Sequence, residues 1–150
     1  MSTVHERLAT LGLELPAVAK PAGAYVPAIT SGSLVFTAGQ LPSTAGVLPA
    51  TGKVGAEVTP EDATQYARVC VLNGLAAAQS VIGSLDRIVK VVGFVSSDPA
   101  FTGQPGVING ASELLGEIFG EAGQHARSAV GVAVLPLDAP VEIEFVFEFA

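Results

Sequence analysis

The sequence predicts an α+β domain, with two helices covering one face of a mixed β-sheet. Three observations carry this reading. The last predicted strand alternates cleanly, with Val141, Ile143, Phe145, Phe147 and Phe149 on one face and Glu142, Glu144, Val146 and Glu148 on the other. Two stretches show helical spacing of apolar or small residues, and a β-branched run, Arg87 to Ser97, lies between them. The resulting order is β-β-α-β-α-β-β, and 150 residues fit one such domain.

Taken in order, Val4, Leu8 and Leu11 are spaced for a short amphipathic helix that stops at Gly12. Residues 1–20 thus read as an N-terminal extension, and residues 21–150 as the domain proper. Ala24 to Ile29 and Ser33 to Gly39 are predicted strands joined by a Thr30–Ser31–Gly32 turn. Leu41 to Val58, with three Gly and two Pro, is an extended connection. Thr59 then caps a helix with Pro60 at its first position and Glu61 and Asp62 in its first turn, running to about Ile82 before Gly83. Its stripe of Ala63, Ala67, Cys70, Gly74 and Ala77 lets it lie close on a sheet. The second helix spans Pro105 to Phe119, with Gly120 and Gly123 ending it. Two strands close the chain, Ala126 to Leu135 and Val141 to Phe149. The uncovered face of the sheet is expected to carry Arg127, Ala129, Gly131, Glu142 and Glu144 and to face solvent or partner subunits.

Composition removes several function classes. Seven Lys+Arg against fourteen Asp+Glu give a net charge of −7, so no basic stripe exists to neutralise a nucleic-acid backbone. One Cys and two His cannot form a Cys/His zinc cage, and no cofactor or metal is expected. The N-terminus lacks a continuous apolar core for a signal peptide, and Val69 to Leu85 is too short and polar to span a membrane, so a cytoplasmic location is expected. Gly46 to Val54 has the wrong spacing for a phosphate loop and reads as a plain turn. Cys70 reads as a small buried hydrophobe.

Among individual residues, His125 is either a base beside a site or a structural loop-end histidine. Tyr25 either orients a ligand or is a half-buried strand aromatic. Arg127, beside small Ala129 and Gly131, either offers a bidentate fork to a carboxylate or pairs with Glu148 across the final hairpin. In such a hairpin Glu142 faces the Val132–Val134 region, roughly 20 Å along the sheet from Arg127. If both serve one small-molecule site, that site lies between subunits.

The segments HARSAVGVAVLPLDAPVEIEF (His125 to Phe145) and YVPAITSGSLVFTAGQLP (Tyr25 to Pro42) resemble the two signatures of the YjgF/RidA family, the enamine/imine deaminases also described as endoribonuclease L-PSP-like. The resemblance covers Pro21 to Phe149 and points to a longer bacterial branch. It implies a chorismate-mutase-like fold, a homotrimer whose sheets face an inner barrel, and cofactor-free hydrolysis of 2-enamine or 2-imine acids to 2-keto acids and ammonia in an intersubunit cleft. By position, Arg127 resembles the residue that holds the substrate carboxylate, and Glu142 the one that positions water. Tyr25, Thr37, Gly39 and Asn109 match residues around the pocket. The chain departs from the deaminase pattern at Ala129, where Cys is frequent, at Ala38, where Ser is frequent, and in its N-terminal extension. Binding of a carboxylated metabolite without turnover is the alternative. Endoribonuclease activity fits poorly with the charge of −7 and the lack of a His pair.

Overall fold

In the computed structural model, which describes residues 3–150, five strands form one sheet in the order β1-β2-β5-β3-β4. The strands are β1 (Ala28–Ser31), β2 (Leu34–Thr37), β3 (Arg87–Ser96), β4 (Ala126–Val132) and β5 (Val141–Glu148). Helices α2 (Pro60–Gln79) and α3 (Gln104–Phe119) cross from one strand to the next, and α1 (Val4–Thr10) packs on α3. This is the α+β arrangement that the sequence predicts.

Local chemistry explains most boundaries. The Thr59 hydroxyl accepts the Asp62 amide at 3.1 Å and starts α2 at Pro60. Thr3 and Glu6 form a reciprocal capping box at α1. Of the predicted apolar stripe of α1, Val4 and Leu8 are buried and Leu11 is exposed. The small stripe of α2 serves close packing on the sheet. A Cβ at Gly74 would stand 2.4 Å from the Phe145 ring, so only glycine fits there. Around that contact Val35, Ile88, Val91, Ile143, Phe145 and Phe147 form a fully shielded core beneath the helices.

Three expectations need correction. First, β1 begins at Ala28 instead of Ala24, because Pro27 has no N–H for a ladder, and its turn sits at Gly32–Ser33. Second, β4 and β5 do not form a hairpin. β3 lies between them, parallel to β4 and antiparallel to β5. The small and polar residues of β4 suit an edge. The Leu135–Pro140 connection straddles the end of β3, where the Ser96 amide reaches the Pro140 carbonyl and the Ser97 amide reaches that of Val132.

Third, Arg127, Ala129 and Gly131 do not share a face with Glu142 and Glu144. They register with Val91, Gly93 and Val95 on the helix-covered side, whereas Glu142 and Glu144 register with Phe94 and Val92 on the other. Their small neighbours mark the crowding of α3, not open space. A Cβ on Gly131 would lie 2.7 Å from the Gln104 amide. The uncovered face mixes charged and apolar side chains, with Ile29 61%, Phe36 41% and Val130 43% exposed beside Glu142, Glu144 and Lys90.

Candidate active site

Arg127 stands on the edge strand β4, and its side chain turns onto α3. Its Nη1 donates to the Ser112 hydroxyl at 3.1 Å, and its Nη2 donates to the Pro105 carbonyl at 3.1 Å. The Ser112 Oγ also lies 2.9 Å from His125 Nε2, and His125 Nδ1 lies 2.6 Å from the Gly123 carbonyl oxygen. A carbonyl can only accept, so Nδ1 carries a proton, and in the neutral imidazole Nε2 accepts the Ser112 hydroxyl proton. Every bond in the chain from Arg127 through Ser112 and His125 to Gly123 then runs in one direction. The guanidinium is oriented by neutral acceptors and keeps its charge. Among the described residues no carboxylate lies within ion-pair distance of Arg127, so the predicted Glu148 pairing across a hairpin does not exist. Glu148 instead registers with Arg87 and Leu34.

Around Arg127 lies an open cleft of about 430 Å³, lined by Asn109, Ser112, Gly116, Gly120, Gln124 and His125. Asn109 and Ser112 are three residues apart, which puts them on one face of α3. Ser112 was not singled out from the sequence. The signal was present in the polar and small residues Asn109, Ser112 and Gly116, which follow a helical period on the side opposite the apolar stripe. Ala129 does not line the cleft; it is partly buried against the core.

The other predicted residues gather elsewhere. A cavity of about 660 Å³ is lined by Tyr25, Gly39 and Gln40 together with the segment Pro16 to Ala22. The Tyr25 hydroxyl accepts the Ala22 amide at 3.0 Å, a local turn within the lining. Glu142 lies against Gly39, where a Cβ would stand 2.5 Å from its Oε1. Burial pushes the Glu142 carboxyl above its usual range, and the charge of Glu144 adds to the effect. Thr37 is buried, and its hydroxyl accepts the Phe145 amide at 3.1 Å, which ties β2 to β5 just past their last paired residues. Cys70 is fully buried, and that burial raises its thiol well above the usual range and leaves it unreactive.

Within one chain, Arg127 and Glu142 therefore occupy opposite faces of the sheet. They are two strands and three residues apart, about 10 Å across and about 10 Å along. This replaces the roughly 20 Å of the hairpin picture and keeps its consequence, because one chain cannot bring the two groups to one small molecule. Among the described residues no group of three His, Cys, Asp or Glu is placed to hold a metal ion. No described helix is long and apolar enough to cross a membrane.

The chain matches, over residues 5–150, the family described as "YjgF/chorismate_mutase-like, putative endoribonuclease". It belongs to that family. Protein TCP17 of Trypanosoma cruzi is 44% identical over 149 residues, a match covering 97% of this chain and 93% of TCP17. Among solved structures, a Shewanella oneidensis protein described as a putative endoribonuclease superposes with a TM-score of 0.94 at 34% identity, over 99% of this chain and 100% of that one. E. coli TdcF with bound serine superposes with a TM-score of 0.66 at 28% identity, covering 91% of this chain and 94% of TdcF. The YjgF fold therefore spans essentially the whole chain, the N-terminal helix included.

Proposed function

We propose that this YjgF-family protein hydrolyses reactive 2-enamine and 2-imine acids to 2-keto acids and ammonia, in a cleft formed between copies of the chain. The observation that carries this reading is Arg127, a guanidinium fixed by Ser112 and Pro105 at the edge of a cleft with no carboxylate partner among the described residues. Two of its five N–H groups are spent on orientation, and the remainder form a fork for a substrate carboxylate. An enamine first tautomerises to the imine. Water then adds to the electrophilic C2, and the resulting carbinolamine expels ammonia and leaves the keto acid. Glu142, half-buried and with a raised pKa, is suited to hold the attacking water and exchange its proton.

The two half-sites support an intersubunit site by their placement. Arg127 is on the β4 edge of the sheet, and the Tyr25 cavity lies past the strand ends, among Pro27 before β1, Ala38 to Leu41 after β2 and Leu137 of the β4–β5 connection. Joining them takes a contact between copies that brings these two different patches together, and the family resemblance implies a ring of three. The exposed apolar residues of the uncovered sheet face, Ile29, Phe36 and Val130, supply surface that such a ring can bury.

A dehydratase that generates 2-aminoacrylate or 2-iminobutyrate in situ provides the test, with keto-acid release followed in the presence of this protein. Arg127→Ala is expected to abolish the acceleration while size-exclusion chromatography still shows the oligomer. Undiminished hydrolysis by that variant overturns the assignment. A second reading, retention of a carboxylated metabolite without turnover, is favoured by the serine bound to TdcF. Affinity for 2-keto acids with no imine hydrolysis would select it. The endoribonuclease description of relatives makes RNA cleavage the third arm, and the charge of −7 weighs against it.

A further inference from the structure

We infer that the 660 Å³ cavity is the receptor for the substrate's side chain, so that this protein acts on 2-imino acids with bulky apolar side chains, branched aliphatic or aromatic. The inference rests on the deaminase reading for its carboxylate anchor and adds the class of group attached to C2. A three-carbon imino acid has no use for a cavity of this size, which lies in the range that houses ligands of many more atoms.

The lining decides the chemistry of the occupant. Pro16, Val18 and Pro21 form one wall, Leu41 and Leu48 another, and Leu137 closes a corner. Leu137 is 73% exposed and holds a left-handed backbone with φ 59°. A leucine in that conformation is uncommon, and here it presents an apolar side chain to the cavity in place of the glycine or asparagine a bare turn would favour. Part of the lining's polar capacity is spent within the chain. The Asn73 amide donates to the carbonyls of Leu41 and Ser43, the Gln40 amide donates to that of Ala38, and the Tyr25 hydroxyl accepts from Ala22. Among the described residues, Lys20, which is exposed, is the only charged one of the lining. Most of the lining side chains are apolar, so an apolar substituent covers surface otherwise exposed to water.

The Arg127 cleft offers no alternative. Its lining of Asn, Ser, Gly, Gln and His contains no apolar side chain that could shield a hydrocarbon group. On this reading a substrate whose carboxylate sits on Arg127 of one copy places its side chain in the cavity of the next. The part of the wall formed by Pro16 to Lys20 belongs to the N-terminal extension, which assigns that segment a role in specificity.

The experiment uses the full chain and a homologous series. An L-amino-acid oxidase converts alanine, 2-aminobutyrate, norvaline, leucine and phenylalanine to their 2-imino acids, and the protein's acceleration of keto-acid release is measured for each. In parallel, calorimetry measures binding of pyruvate, 2-ketobutyrate, 4-methyl-2-oxopentanoate and phenylpyruvate. Wild-type kcat/KM and affinity are expected to rise with side-chain size, by about fourfold per methylene buried. The ratio of the phenyl to the methyl substrate is expected to fall at least tenfold in Val18→Asp, which makes the wall polar, and in Val18→Phe, which fills the space. Each ratio is internal to one variant, so partial loss of folded protein does not alter it. A flat size series, or a ratio unchanged in both variants, overturns the inference even if small imines are hydrolysed well. Size-dependent binding without any imine hydrolysis supports the cavity's role and removes the deaminase reading instead.

Discussion

On the proposed reading, the Arg127 cleft and the N-terminal cavity divide between them the work of holding one small molecule, and they are built on different principles. The cleft is polar and pre-oriented. A directional chain of hydrogen bonds from Arg127 through Ser112 and His125 to Gly123 fixes a single cation, and glycines leave room around it. The cavity is mostly apolar and shaped by loops, and the Asn73 amide that lines it is bonded to the carbonyls of Leu41 and Ser43. In a chain of net charge −7 no long-range field draws an anion in, so capture depends on a local, well-aimed guanidinium. On the proposed reading selectivity among anions comes from the shape of the cavity past the strand ends. Charge recognition and size recognition can therefore change independently.

That division can be broken from either side. The largest effect is expected at the charge. Arg127→Ala should lower kcat/KM at least about 100-fold for substrates of every size, because a charge-assisted bidentate contact is worth several kcal/mol in a desolvated site. A size-dependent loss would show that the two half-sites are not separable. Next comes Gly39→Ala, whose Cβ would overlap the Glu142 carboxylate. A roughly tenfold or greater fall in kcat with little change in keto-acid affinity is expected, since misplacing a catalytic group costs rate more than binding. Ser112→Ala removes one of the two acceptors that aim Arg127 and should weaken keto-acid binding by roughly fivefold, in line with about 1 kcal/mol for one hydrogen bond. Calorimetry of pyruvate and phenylpyruvate reads this directly, and equal weakening for both would confirm that Ser112 acts through the charge alone.

The smallest effect concerns stability. Burial and Glu144 raise the Glu142 pKa above its unfolded value, so folding favours the protonated form. Stability attributable to this group is complete below the ordinary carboxylate pKa and is lost as pH rises through the raised one. Glu142→Gln should therefore be more resistant to urea than the wild type at pH 7, with the advantage shrinking toward pH 4, while its activity falls. A variant less stable than the wild type at pH 7 would show that Glu142 is held by contacts more than it is penalised by burial.

The sequence exposed much of this and hid specific parts. Thr59 and Pro60 announce α2, the alternation of β5 announces its buried face, and Arg127 stands out in an apolar strand. Strand order was not legible, because the Leu135–Pro140 connection has the length of a loose hairpin and gives no local sign that it crosses another strand. That missing sign also put Arg127 on the wrong face, since its side is dictated by register with β3. Small residues beside it read equally as open space or as helix crowding, and only the position of α3 separates the two. The cavity wall was hidden for another reason. Pro16 to Ala22 has neither helical nor strand periodicity, and Tyr25 closes back on Ala22 in a local turn.

The crossing of Leu135–Pro140 also governs the order in which the molecule can be completed. β5 is the last strand in the chain, yet it sits in the middle of the sheet, hydrogen-bonded to β2 on one side and β3 on the other. Until it emerges from the ribosome, β2 and β3 present open edges, and the apolar faces of α2 and α3 have no Phe145 or Phe147 to close on. The β1–β2 hairpin and the β3–α3–β4 unit are thus separate pieces until the final strand is threaded between them. Completion of the sheet is consequently dominated by contacts distant in sequence and slow by the rule that relates topology to folding rate.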